Sequence, residues 1–178
     1  APRPAFPSRL YWSVESGDQG AVKTTLAAGA DPNVYSHSIL LPALRNRDPH
    51  TLRVLLQHGA KIQRGSENPL RFAIDAECVG LLLAAGAQVR DRPNPLIGAL
   101  TAGDEEAVRL LLAKGAVMDR SDPELWFAAC SGGLLDIIEQ LLQHRDAIQL
   151  GQNGFEFAAE NDRVAAMELL LREGVEVR

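Results

Sequence analysis

Histidine and cysteine are the residues with the widest range of chemistry in this 178-residue chain. The six such side chains are His37, His50, His58, His144, Cys78 and Cys130. They show neither the His-x-x-x-His nor the Cys-x-x-Cys spacing that is typical of zinc sites. We therefore expect the histidines to be solvated or to cap helix ends, and we predict no metal site and no bound cofactor.

The two cysteines are expected to differ from each other. Cys78 falls at a core-facing position of a predicted helix, which favours a buried structural thiol, whereas Cys130 falls near the end of another helix and is expected at the surface. No histidine is placed to take a thiol proton, so neither cysteine is predicted to be a nucleophile. Two cysteines make no disulfide framework and fit a reducing compartment, so we expect an intracellular protein of the cytoplasm or nucleus.

Acidic pairs and glycine pairs also lack a catalytic pattern. Glu105-Glu106 is most simply a pair of charges in the first turn of a helix, where carboxylates stabilise the helix dipole. Gly132-Gly133 is not followed by Gly-Lys-Ser/Thr, so it does not form a phosphate-binding loop. We predict no catalytic residue, and we do not expect an enzyme.

Composition excludes two further classes of partner. The formal net charge of -5 and the pI near 5.4 argue against general binding to nucleic acid. No run of 18 apolar residues is present, so no membrane span is predicted. The hydrophobic fraction of 46% is sufficient for a sizeable core.

The elements that position these side chains are pairs of short helices. In the best-formed pair, Asn94 caps a first helix that Pro95 opens, and Gly103 ends it. Asp104 then caps a second helix, which Gly115 closes. One such pair cannot bury both of its apolar stripes, so it requires neighbours of the same design.

Six copies of this pair follow one another. The apolar residues that open the first helices are Leu10, Leu40, Leu70, Leu96, Leu125 and Phe155, with steps of 30, 30, 26, 29 and 30 residues. A near-constant period predicts a stacked array. We expect an extended lead-in over 1–8 and one repeat domain over 9–178. Its repeats are predicted at about 9–35, 36–64, 65–91, 92–120, 121–150 and 151–178. The third, being the shortest, is expected to be the least regular.

The pattern resembles the ankyrin repeat family. The fourth copy carries Asn94-Pro95-Leu96, Gly103-Asp104 and Lys114-Gly115-Ala116, and the first ends in Gly29-Ala30-Asp31-Pro32-Asn33. The period is shorter than the family's 33 residues or so. The resemblance implies a non-catalytic scaffold that binds another protein. Two alternatives stay open: a small-molecule or catalytic groove on this scaffold, or a targeting domain of a larger enzyme.

The missing residues fall mainly between copies, where ankyrin repeats usually form a β-hairpin finger. The predicted connections are 34–37, 64–67, 91–93, 120–122 and 150–152. Three or four residues are too few for a projecting hairpin. We therefore predict an all-α helical-repeat solenoid with little or no β-hairpin, in which recognition shifts to the exposed, concave side of the first helices.

Ten residues are predicted to line that side: Tyr11, Glu15, Arg45, Asn46, Arg71, Thr101, Trp126, Cys130, Glu156 and Glu160. Trp126 is the favoured anchor, because exposed aromatic side chains often dominate interfaces. The alternative is that Trp126 only fills the space of a histidine that the family has at this position. Trp12 and Phe127 are expected in the core.

Charge is distributed unevenly along the chain. Residues 36–72 contain six Lys or Arg against two acids, whereas 119–178 contain five against twelve. In a solenoid, sequence distance approximates spatial distance, so a basic middle region and an acidic end are expected. The charges either solvate helix faces or attract a partner of opposite polarity. A third reading is head-to-tail self-association through the terminal repeat.

Overall fold

The computed structural model describes residues 9–33, 39–62, 68–90, 94–143 and 147–175. Within these ranges no residue is in a β-strand, which confirms the all-α prediction. The lead-in, the connections at 34–37, 64–67 and 91–93, and two of the histidines, His37 and His144, lie outside the described residues.

Successive first helices contact one another and form one layer. They are α1 (Arg9–Glu15), α3 (Leu40–Arg45), a 3-10 helix (Pro69–Phe72), α6 (Leu96–Ala102), α8 (Pro123–Gly132) and α10 (Ala147–Glu160). The second helices lie in a parallel layer. They are α2 (Gln19–Ala27), α4 (Pro49–Gln57), α5 (Ala76–Ala84), α7 (Glu105–Ala113), α9 (Leu135–Leu142) and α11 (Val164–Arg172). Each second helix packs against the first helix of its own pair, as predicted for a solenoid.

Aspartate starts four of the second helices. The side chains of Asp18, Asp48, Asp75 and Asp104 each accept a hydrogen bond from the backbone N–H three residues later. This contact satisfies a donor that the helix itself leaves unpaired. The core between the layers is a row of fully buried leucines: Leu10, Leu40, Leu70, Leu96, Leu100, Leu111 and Leu125.

The third pair is the irregular one, as the sequence predicts. Its first helix is a single 3-10 turn that Pro69 opens and Asn68 caps. Asp75 then caps α5 directly, because the chain is too short here for a longer first helix. The 3-10 turn still places Leu70 in the core with 0% of its surface exposed.

The sixth first helix contradicts the predicted boundary. The sequence predicts a connection at 150–152 and a helix that opens at Phe155, yet α10 begins at Ala147 and runs through this segment. Gly151 favours a loop by intrinsic propensity. Packing of α10 against α8 outweighs that preference, because most helix stability in proteins comes from tertiary contacts.

Polar contacts between neighbouring pairs fix their register. The Asn33 side chain donates through Nδ2 to the Gly59 carbonyl and accepts through Oδ1 from the Lys61 N–H, both at 2.8 Å. The connection at 120–122 is a tight turn in which Asp119 Oδ1 accepts from the Ser121 N–H at 3.0 Å. This described connection has no hairpin, in agreement with the expected shortened fingers.

Candidate partner-binding surface

All ten sequence-predicted residues lie on, or at the ends of, the first helices. We call the solvent-facing side chains of α1, α3, the 3-10 helix, α6, α8 and α10 the first-helix surface. Eight of the ten predicted residues are exposed or half-buried and belong to it, and two are buried.

At the α1 end, three predicted residues are brought together. Arg45 Nη2 lies 3.3 Å from Glu15 Oε2, which joins α3 to α1. Asn46 Nδ2 donates to the carbonyls of Val14 and Glu15, at 3.0 and 3.1 Å. α1 ends there, so these carbonyls have no partner in a continuing α-helix, and the Val14 carbonyl also accepts from the Gly17 N–H of the closing turn at 3.1 Å. Asn46 therefore acts as a cap for the neighbouring pair, while the Glu15–Arg45 pair remains at the surface.

In the middle of the array, Arg71 forms an ion pair with Glu124 of α8. The guanidinium reaches past α6 to a helix two pairs away. Gly98 lets α6 pack closely against the backbone of the 3-10 helix, because a Cβ at that position would overlap the Arg71 carbonyl. Thr101, on the same helix as Gly98, is exposed and donates its hydroxyl to the Ile97 carbonyl at 2.9 Å. Sequence reasoning missed Glu124, which precedes its helix's first buried leucine by one residue.

The prediction that Trp126 is an exposed anchor is wrong. Its side chain is only 2% exposed, so it belongs to the core. The reason lies on α10, where Gly154 leaves the indole room: a Cβ there would stand 2.6 Å from Trp126 Nε1. The alternative interpretation, in which Trp126 fills the space of the family's histidine, agrees with this burial.

Cys130 is also buried, which corrects the expected surface position. It lies beside Gly154, and burial raises the pKa of its thiol to about 12. Cys78 is fully buried, as predicted, and burial together with nearby Asp75 raises its thiol pKa further. A thiol with a raised pKa stays protonated near neutral pH, and only the thiolate is a good nucleophile. Burial therefore disfavours a nucleophilic role for either cysteine.

Aromatic side chains supply the exposed apolar part of the first-helix surface. Trp12, expected in the core, is 58% exposed and meets Tyr11 edge to face with ring centroids 6.5 Å apart. Phe127 is half-buried against the core and stacks on Phe157 of α10, with centroids 4.9 Å apart and planes at 29°. The expectation for Phe127 is therefore met only in part. The glutamates Glu156 and Glu160 are exposed beside Phe157.

Cavities bear on the small-molecule alternative. One of about 280 Å³ lies at the turns before α6 and α8, lined in part by Arg90, Asp119 and Asp122. Its carboxylates already hold the local backbone: Asp122 caps α8, and Asp119 holds the turn. A second, of about 170 Å³, opens between α7 and α9, which make little contact. Both are smaller than the roughly 300–1,000 Å³ of typical small-molecule pockets. A third, of about 370 Å³, lies between α5 and α7 and reaches the lower end of that range; Leu83, Val89 and Leu110 are among its lining residues.

In the described ranges, no group of three or more His, Cys, Asp or Glu side chains is arranged to hold a metal ion. His58 Nδ1 lies 2.9 Å from the Val54 carbonyl at the end of α4, the helix-capping role expected for histidine. None of the described helices is long and apolar enough to cross a membrane.

The fold matches a solved structure of known type. The ankyrin repeat domain of human ASB11 aligns with a TM-score of 0.68 and 25% sequence identity, over 96% of this chain and 85% of that one. No protein-family model matches the chain.

Shorter matches come from curated proteins. A stretch of 66 residues, 36% of this chain, is 41% identical to ankyrin repeat and SOCS box protein 14 of mouse and covers 11% of it. The human protein of that name is 39% identical over an equal length. A 66-residue match at 41% identity also covers 18% of bovine dynein axonemal heavy chain 12. The chain thus matches only a small part of each relative. The stacked helix pairs, the solved structure and the ankyrin-containing relatives together show that the chain has the ankyrin repeat fold.

Proposed function

We propose that this chain is a non-catalytic scaffold that binds a partner protein on its first-helix surface. Ankyrin repeat domains in general bind other proteins, and stacked repeats present long continuous surfaces suited to this. The observation that carries the proposal is the exposed array itself: Trp12, the Glu15–Arg45 pair, Thr101 and Phe157 occupy one layer of helices from α1 to α10.

The composition of this surface supports a protein partner. Exposed aromatic rings combined with arginine are typical of residues that dominate protein interfaces. The cavities described above reach at most the lower end of the size range of small-molecule pockets. In the cavity at the turns before α6 and α8, the carboxylates of Asp122 and Asp119 already cap a helix and hold a turn. Two buried free thiols also agree with a reducing, intracellular compartment.

Site-specific photo-crosslinking tests the proposal. A photoreactive amino acid replaces Thr101 or Glu160 on first helices, and Lys23 or Glu106 on second helices as matched exposed controls. In lysate of the source cells, we expect a common crosslinked protein from the two first-helix positions and not from the controls. Products formed equally from both layers, or from the controls alone, would contradict the proposal.

One observation favours a second mode of association. Val164 and Leu171 on α11 are 62% and 51% exposed, an unusual amount of apolar surface for one helix. It is consistent with self-association through the terminal repeat. Sedimentation equilibrium of the wild type and of Val164→Ser/Leu171→Ser over a range of concentrations tests this: a dimer in the wild type alone supports it, and a monomer in both excludes it.

A further inference from the structure

Three exposed residues of α10, Glu156, Phe157 and Glu160, form what we call the α10 patch. We propose that the α10 patch binds a cationic, arginine- or lysine-bearing segment of a partner protein. This rests on the function proposed above and adds the chemistry of the partner.

Helical spacing gathers the patch on one face. Glu156 and Glu160 are four residues apart and Phe157 and Glu160 are three apart, so their side chains are neighbours on the helix. The other face of α10 carries Gly154 against Trp126 and the fully buried Ala158. The patch therefore points away from the core.

Phe157 offers a supported aromatic ring. Its side chain is 36% exposed, and its stacking on Phe127 at 4.9 Å holds the ring in place. The electron-rich face of an aromatic ring attracts a cation within about 6 Å of the ring centre, and arginine is the more frequent partner. A fixed ring loses little freedom when a ligand binds.

Within the described ranges, no basic side chain neutralises the two glutamates. Like charges four residues apart repel each other on a helix. Among the described residues neither Glu156 nor Glu160 makes an ion pair or a side-chain hydrogen bond. Arg163, the basic residue that follows them, donates instead through Nε to the Ser131 carbonyl at 2.9 Å.

Glutamate at the same spacing elsewhere is neutralised within the chain. On α7, Glu105 Oε2 lies 3.1 Å from Arg109 Nη2, four residues later. The contrast indicates that the charge of the α10 patch is left for an external cation. The excess of acids over bases in 119–178, twelve against five, also attracts a cationic segment toward this end.

The adjoining face of α8 already binds a guanidinium. Arg71 pairs with Glu124, which lies three residues before Phe127 and therefore on the same side of α8. Through the Phe127–Phe157 stack, this carboxylate and the α10 patch belong to one acidic and aromatic surface. The chain's own arginine thus shows the type of group that this surface accommodates.

An NMR titration of the isotope-labelled chain tests the proposal. The probe is a nine-residue peptide of alternating glycine and arginine, and its control replaces arginine with the neutral isostere citrulline. The protein variants are Glu156→Gln/Glu160→Gln, Phe157→Leu, and Glu106→Gln/Glu168→Gln. The last has the same charge change on exposed residues of second helices. Thermal unfolding confirms that each variant is folded.

We expect the arginine peptide, and not the citrulline peptide, to shift the backbone amides of α10 in the wild type. Glu156→Gln/Glu160→Gln should weaken binding about fivefold or more, while the second-helix control changes it less than about twofold. Phe157→Leu should also weaken it, since leucine keeps the apolar contact but lacks the ring. Equal weakening by both glutamine pairs, or no binding, would overturn the proposal. Shifts confined to other first helices would overturn the α10 patch but leave the first-helix surface intact, whereas shifts confined to second helices would count against both.

Discussion

Gly154 and Trp126 are complementary: a Cβ built on Gly154 would stand 2.6 Å from the indole Nε1 and 2.8 Å from Cε2. It would also stand 2.9 Å from Cys130 Sγ. These distances are shorter than any normal carbon contact, so α8 and α10 can pack this closely only because position 154 has no side chain.

Gly154→Ala should therefore destabilise the chain, although alanine is the better helix former. We expect a loss of about 1–3 kcal/mol in the free energy of unfolding, the usual cost of overfilling a packed core. Gly80→Ala on α5 is the matched control, because among the described residues its Cβ would meet only Leu110 Cδ2, at 4.0 Å. The free energy of unfolding of Gly80→Ala should rise by up to about 1 kcal/mol, because alanine has the higher helix propensity. Urea unfolding of the two variants checks both values, and a stabilised Gly154→Ala would disprove the close contact.

Arg47 adopts a conformation that suits glycine, with φ at +50° in the break between α3 and α4. Gly103 takes the same role between α6 and α7, with φ at +71°. Arg47→Gly should stabilise the chain by about 1 kcal/mol, because a Cβ is strained in the left-handed region. Asp162 has φ at +56°. Asp162→Gly should raise the free energy of unfolding less than Arg47→Gly does, because aspartate tolerates the left-handed region better than arginine. Thermal unfolding measures both, and a destabilised Arg47→Gly would contradict the assignment.

Asp48 links two helix pairs and should make stability depend on pH. Burial alone would raise its pKa, but hydrogen bonds from Thr51 and Gln19 outweigh that effect and hold the pKa below its ordinary value of 3.8. A carboxylate with a lowered pKa in the folded state stabilises the fold above its ordinary pKa, and this contribution is lost as the pH falls through the lower, folded value.

Asp48→Asn should therefore cost about 1 kcal/mol at neutral pH, where it removes charged hydrogen bonds. The difference from the wild type should shrink as the pH falls below 3.8. Urea unfolding of both proteins across this range is the measurement. A difference that stays constant down to about pH 3 would show that the charge of Asp48 is not involved.

Both thiols should be unreactive while the chain is folded. Cys78 and Cys130 are 0% exposed, and burial raises the pKa of each thiol. We expect a disulfide reagent to label neither cysteine in native protein and both in urea. Rapid labelling of Cys130 in the native state would contradict its burial and agree with the surface position that the sequence predicts.

Much of the fold is predictable from local signals. Asp48 and Asp104 mark the starts of second helices because a carboxylate at the N-cap satisfies a free backbone N–H, a rule that needs only neighbouring residues. The period of the leucines, from Leu10 onward, then indicates stacking without any knowledge of distant contacts.

The candidate surface was less predictable, because exposure depends on the next repeat. Trp126 is buried because α10 packs on α8, and Gly154 of α10, 28 residues later in the chain, leaves space for the indole. The role of this glycine is apparent only from the packed helices. The long α10 was missed for a related reason, since Gly151 favours a loop locally while tertiary packing keeps it helical. Ion pairs such as Arg71 with Glu124 join residues two pairs apart, which no local pattern encodes.

The most direct test of partner binding on the first helices is amide hydrogen exchange of the chain, measured with and without the partner that photo-crosslinking identifies. We predict slower exchange in peptides that cover α6, α8 and α10 when the partner is bound, with α7, α9 and α11 unchanged. Protection confined to the second helices would place the partner on the opposite layer and contradict the account.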